Sequence, residues 1–256
     1  MMENQFHEFR YVIHLKEYDE GVYFFREVLG LQPNYTWSIV PDNQGYRFYM
    51  GKGRLEIVRY PFGPVQGSGE IYAECRDLEL CVERMLEEEP EVKILKRDSS
   101  EVLVEGQNGN RVHILQGRDE AETQGVIEKT NMFTGEFTGV IYENDLVSAR
   151  EFYRDWIGLP VISDRFSEGS VLFSAGDAQL EIRSGSGMGP SMIALEADSV
   201  NRVHDRLCKD ERYREVFVLH DTDFDARRLF QIFDPGGNVV EFYSYLRNVR
   251  EEILLH

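Results

Sequence analysis

Phe24-Phe25-Arg26-Glu27-Val28-Leu29-Gly30-Leu31 returns as Phe152-Tyr153-Arg154-Asp155-Trp156-Ile157-Gly158-Leu159, an offset of 128 residues. Two further blocks repeat at nearly the same distance. Leu55-Glu56-Ile57 matches Leu180-Glu181-Ile182, and Asn108-Gly109-Asn110 matches Gly236-Gly237-Asn238. Three separated blocks at a nearly constant spacing mean an internal duplication, and a repeat decides the fold before any local reading does. The copies are expected at 1–118 and 136–248, with a polar linker at 119–135 and a tail at 249–256.

Working outward from the repeated block, each copy divides again. Phe9 to Leu15 is rich in apolar and aromatic residues and reads as a strand. Tyr18 to Leu29 follows as a helix, with Val22, Phe25 and Leu29 on one face. Gly30 stands where a left-handed helix cap favours glycine. Strands are predicted near 35–40, 46–50 and 54–60, with Gly51-Lys52-Gly53 as a hairpin turn. The order then repeats: strand 70–75, helix 78–88, and strands at 92–96, 101–105 and 111–115. The second copy gives strand 138–143, helix 146–156 and strands 161–166, 170–174 and 179–183. It closes with strand 192–197, helix 200–207 and strands 216–220, 228–233 and 238–243. Ala149, Phe152, Tyr153 and Trp156 mark the helix face that must be buried.

The fold class is therefore α+β, built from four βαβββ modules. Three strands and a helix cannot bury both faces alone, so modules must pair into curved, mostly antiparallel sheets around a cleft. Pairing within a copy and pairing between copies both satisfy this pattern.

Composition sets the outer limits. The chain has 256 residues, 42% hydrophobic and 29% charged, with a formal net charge of −18. The acidity is spread over both copies, so no basic stripe awaits nucleic acid or an anionic membrane. No apolar run reaches the length of a membrane span. The first residues lack the pattern of a signal peptide. Cys75, Cys81 and Cys208 are too few and too scattered for a disulfide framework or zinc knuckle. Cys81 and Cys208 fall in helical patterns and are expected as small core residues. A cytoplasmic setting is the expectation. No phosphate-binding glycine loop or serine-hydrolase elbow occurs, and Gly185-Ser186-Gly187-Met188-Gly189 reads as a flexible connection between modules.

The Phe-Tyr-Arg-Asp stretch through Gly158-Leu159, and Asp234-Pro235-Gly236-Gly237-Asn238 through Glu241, resemble the vicinal oxygen chelate superfamily. That group includes glyoxalase I, extradiol dioxygenases and bleomycin resistance proteins. The resemblance covers roughly 6–117 and 136–246 and implies two tandem glyoxalase-like domains. It also implies four metal-ligand positions per cleft, at the first and last strands of the modules, usually filled by His, Gln or Glu. Carried across, these are Arg10, Glu56, Glu70 and His113 in the first copy, and Thr138, Glu181, Met192 and Glu241 in the second. Arginine is a permanent cation and cannot be a ligand. A salt-bridged Arg10–Glu56–Glu70 cluster with His113 is therefore expected in the first cleft.

Three functional readings follow. The first is a binding protein for a small organic ligand, lacking the usual metal set. Its cleft candidates are Arg10, His14, Tyr46, Phe48, Tyr72, Phe173 and Tyr243. His14 shares a strand face with Arg10 by period-two alternation, as a general base, a ligand or a wall residue. The second is a lyase or dioxygenase dependent on Zn, Ni, Mn or Fe held by Glu56, Glu70 and His113, with Glu181 and Glu241 as the weaker set. A third reading has the duplicated scaffold serve mainly protein association, as a homodimer. The substrate and reaction are not encoded in any motif.

Overall fold

A computed structural model describes residues 6–59, 69–106, 109–117, 133–185, 191–211, 213–222 and 226–247. The first copy runs β1 (Phe6–Leu15), α1 (Tyr18–Tyr23), β2 (Gln32–Val40), β3 (Asn43–Met50) and β4 (Gly53–Arg59). It continues with β5 (Glu70–Cys75), α2 (Leu78–Glu88), β6 (Lys93–Arg97), β7 (Glu101–Glu105) and β8 (Arg111–Gln116). The second copy repeats this order. It runs β9 (Phe133–Glu143), α3 (Leu146–Glu151), β10 (Val161–Arg165), β11 (Ser170–Ala175) and β12 (Ala178–Ser184). Then come β13 (Met192–Ala197), α4 (Val200–Leu207), β14 (Glu215–Thr222), β15 (Arg227–Phe233) and β16 (Val239–Tyr245). The four βαβββ modules are thus present in the predicted order. The bulk of the linker, the glycine stretch after Gly185 and the tail 249–256 lie outside the described residues; β9 starts at Phe133, earlier than expected.

Helices α2, α3 and α4 each begin at a polar side-chain cap. Asp77 accepts from the Leu80 amide at 3.0 Å, and Asp145 from the Ser148 amide at 3.1 Å. Ser199 accepts from the Arg202 amide at 3.2 Å. Each satisfies an amide that the first helical turn leaves open. The two repeated blocks depart from the α-helix expected of them. Phe24–Val28 and Phe152–Ile157 are π-helical turns continuing α1 and α3. The wider turn brings adjacent aromatics inward together. Phe24 and Phe25 meet edge-on at 5.1 Å between centroids, and Phe152 and Tyr153 at 5.0 Å. Ala149, Phe152, Tyr153 and Trp156 are all buried, as their spacing predicted. Each large side chain so buried contributes about 1.5–3 kcal/mol. Gly158, at φ 91°, closes the second π turn in the left-handed region. Cys81 is a core residue, but Cys208 is exposed. It falls just past the end of α4, where the helix no longer turns it inward.

The strands form two eight-stranded sheets, ordered β14-β15-β16-β13-β1-β4-β3-β2 and β10-β11-β12-β9-β5-β8-β7-β6. The chain divides into two compact units, residues 1–12 with 141–256, and residues 13–140. The boundaries fall within β1 and β9, because each copy lends the start of its first strand to the other. In one unit β1 runs antiparallel to β13, with Arg10 opposite Ala194. In the other β9 runs antiparallel to β5, with Thr138 opposite Tyr72. The second module of each copy closes with a parallel pair, β5 with β8 and β13 with β16.

Candidate functional site

In the unit built on the second copy, one sheet face carries a row of polar side chains. Gln231 lies opposite Glu241, Glu241 beside Ala194, and Ala194 opposite Arg10. Glu241 accepts from the Gln231 amide at 2.8 Å and from Arg227 Nη1 at 3.3 Å. Tyr243, two residues on, shares this face. Its ring has the Arg10 guanidinium at 4.7 Å from its centroid and the Arg227 guanidinium also at 4.7 Å. Its hydroxyl donates to Glu8 at 2.6 Å, and Glu8 lies 3.6 Å from Arg10 Nη2. Arg10 is 1% exposed and Arg227 4%, so both cations are stacked on an aromatic face in low dielectric. Burial holds the Tyr243 hydroxyl well above its ordinary pKa, while the Arg10 charge opposes that rise. Burial and the neighbouring Glu8 charge raise the carboxyl of Glu196, which stands beside Tyr243. The same unit places Glu181 on β12 with Arg183 at 2.7 Å.

In the other unit, Glu56 faces Arg47 directly across the β3–β4 hairpin. Arg47 Nε lies 3.3 Å from its carboxylate, and the Trp37 indole donates to it at 2.5 Å. Tyr35 stacks over Arg47 at 5.2 Å. His14 senses the Glu56 charge, but burial dominates and lowers its pKa to about 4. It is a neutral imidazole near pH 7.

A separate cluster stands on β5, β7 and β8. Tyr72 and His113 are parallel-strand partners, and their rings stack at 3.9 Å. His113 Nε2 lies 3.4 Å from Glu70, and Nδ1 lies 2.5 Å from Glu101. The His113 hydrogen bond, then Lys96, holds the Glu101 carboxyl below the usual range.

These positions correct part of the predicted set. Glu56, Glu70 and His113 are not one site. Glu56 is on β4, in a different sheet from β5 and β8, and is engaged by Arg47 and Trp37. Among the described residues no three His, Cys, Asp or Glu side chains converge as a metal cage. Tyr46, Phe48 and Phe173 face the helices. Phe48 pairs with Leu55 while its neighbour Arg47 pairs with Glu56, and Phe173 pairs with Leu180 while Leu172 pairs with Glu181. Period-two alternation thus turns these rings to the face opposite the carboxylates. Phe48 packs on Phe25, Phe173 on Tyr153, and Tyr46 stacks on Phe48. Tyr72 and Tyr243 do share a face with the carboxylates.

Sequence reading missed Arg47, Arg227, Gln231, Trp37 and Glu101. Arg47 had a signal. The tight turn at Gly51-Lys52 pairs Met50 with Gly53, and counting back along both strands puts Arg47 opposite Glu56. Glu101 is a diagonal neighbour of His113 across β7–β8, recoverable only with that register in hand.

Residues 135–242 match the model of the Glyoxalase/Bleomycin resistance protein/Dioxygenase superfamily. A glyoxalase I mutant from Zea mays has a similar structure, with a TM-score of 0.70 at 15% identity, covering 98% of this chain and 95% of that one. A dioxygenase described as putative, from Bacillus subtilis subsp. subtilis str. 168, gives a TM-score of 0.66 at 15% identity, covering 94% and 85%. At such identities the likeness is one of fold. Comparison with curated proteins gives no match. No described helix is long and apolar enough to cross a membrane.

Proposed function

We propose that the chain, whose residues 135–242 match the Glyoxalase/Bleomycin resistance protein/Dioxygenase superfamily, binds a small organic ligand against the sheet faces that carry its buried arginines. One observation carries this reading. At three positions where the resemblance places a metal ligand, the carboxylate is already engaged by a guanidinium: Glu56 by Arg47, Glu181 by Arg183 and Glu241 by Arg227. A divalent cation would have to displace a charge-assisted hydrogen bond at each. Arg10 occupies a fourth position with a permanent cation. These sets do not fit a divalent metal. A small organic molecule bearing oxygen acceptors suits this face, where the Arg227 guanidinium lies over the Tyr243 ring near the Gln231 amide.

A second reading keeps a divalent metal at Glu70 and His113. Glu101 at Nδ1 fixes the His113 ring so that Nε2 points to Glu70, the arrangement that orients metal-binding histidines. Two donors fall short of the three that catalytic sites supply, so no reaction step is assigned to such an ion. The two-copy division, a cytoplasmic location and a homodimer remain part of the proposal.

A thermal-shift screen of small organic acids and ketones, paired with metal analysis of protein purified without chelator, tests both readings. The binding reading expects substoichiometric metal and a ligand that raises Tm. At a hundredfold excess over Kd the stabilisation is about 2.7 kcal/mol. Arg227→Met should abolish the ligand's shift. Stoichiometric metal lost in His113→Ala would overturn the binding reading in favour of the second.

A further inference from the structure

The Asp234-Pro235-Gly236-Gly237-Asn238 turn between β15 and β16 does more than reverse the chain. It closes over the end of β9, and two buried carboxyls meet there. Glu143 and Asp234 are each 1% exposed. The single side-chain amide of Asn238 donates to both, at 2.6 Å to Glu143 and 2.8 Å to Asp234. Asp234 also accepts from the Tyr153 hydroxyl at 2.7 Å and from the Asn238 backbone amide at 2.7 Å. Gly236 lies so close that a Cβ there would collide with the Glu143 carboxylate. The Gly236 backbone thus lies directly against the Glu143 carboxylate.

Among the described residues no lysine or arginine pairs with either carboxyl. The titratable groups facing the pair are Tyr153 from the π turn and Asp145 from the start of α3. Asp234 also lines a pocket of about 290 Å³, with Glu151 and Arg214 at its exposed rim. Two buried carboxylates that share one amide group do not both ionise without a cation beside them. One proton between them satisfies the geometry, because a protonated carboxyl supplies the donor that two carboxylates lack.

We propose that Glu143 and Asp234 share one proton, and that this proton latches the 234–238 turn onto the end of β9. The latch makes this unit sensitive to alkaline pH. Burial, then the Asp234 charge, pushes the Glu143 carboxyl up from 4.5 to about 9. The folded state therefore holds a proton that the unfolded chain gives up. The latch contributes fully below the unfolded pKa, and its contribution is lost as pH rises through about 9. Above that, two like charges face one amide, and the turn is expected to lift at the pocket rim.

The test is infrared spectroscopy of the whole chain, with Glu143→Gln as the comparison. Glutamine keeps an acceptor for Asn238 and supplies the donor to Asp234, so it imitates the latched state at every pH. Wild type at neutral pH should show a protonated-carboxyl stretch that disappears on titration through about pH 9 and is missing in Glu143→Gln. Its Tm should fall more steeply than the variant's over the same range. Absence of the band in wild type at neutral pH would overturn the proposal, and this reading stands on wild type even if the variant does not fold. Parallel Tm curves for a folded variant would also overturn it.

Discussion

The same corner is built twice in this molecule, with opposite chemistry. At the repeat offset of 128, Glu143 corresponds to Leu15, Tyr153 to Phe25, Asp234 to Gly106 and Asn238 to Asn110. The asparagine clasp is common to both corners. The Asn110 side chain accepts from the Gly69 amide at 2.6 Å, and that of Asn238 from the Ser191 amide at 2.8 Å. Around it the first copy is apolar. Leu15 and Phe25 are buried, and a Cβ on Gly106 would lie 2.6 Å from the Phe24 ring. The second copy fills the same place with two acids and a tyrosine. The fold closes with either, so such a corner does not require an acid pair. Hydrophobic packing suffices, and replacing buried polar clusters by packed apolar ones is often neutral or favourable.

Four variants would break or sharpen that comparison. The largest effect is expected for Asn238→Ala, which leaves both carboxyls and the Ser191 amide without their shared partner. It should cost about 3–5 kcal/mol by denaturant unfolding, as for loss of one member of a buried charged network. Asn110→Ala, in the apolar corner, should cost clearly less. Equal losses would mean that the clasp to the preceding strand, not the acid pair, sets the cost. Next comes the graft of the first corner onto the second, Glu143→Leu with Tyr153→Phe and Asp234→Gly. Its stability at neutral pH should lie between unchanged and about 4 kcal/mol higher, with the alkaline sensitivity gone. A graft that unfolds would show that the two corners are not interchangeable frames. The smallest effect is Tyr153→Phe alone, which removes one donor from Asp234. A loss of about 1–3 kcal/mol is expected from equilibrium unfolding. No loss would place the hydroxyl outside the network.

The arginine-bearing faces show the same division between legible and hidden. Glu56 and Glu241 were found from the repeat, because last-strand blocks align by counting. Their arginine partners depend on register. Arg47 was recoverable from a two-residue turn, whereas Arg227 sits on β15 beyond a longer turn and reaches Glu241 diagonally. Tyr46, Phe48 and Phe173 were misplaced for one reason. Aromatic character alone points to the cleft, while strand parity assigns those rings to the helix side.

The sequence by itself determined the duplication, the four modules, nearly every strand and helix, and the buried helix face of Phe152, Tyr153 and Trp156. These rest on periodicity and turn chemistry, which act over a few residues. Only the tertiary structure decided which modules share a sheet, through β1 beside β13 and β9 beside β5. It alone placed Glu70 with His113 rather than with Glu56. It alone brought Glu143 to the amide of Asn238, 95 residues away in the chain. Such contacts are non-local. They are set by which buried faces and backbone hydrogen bonds are satisfied when whole strands meet, and no short window of sequence carries that information.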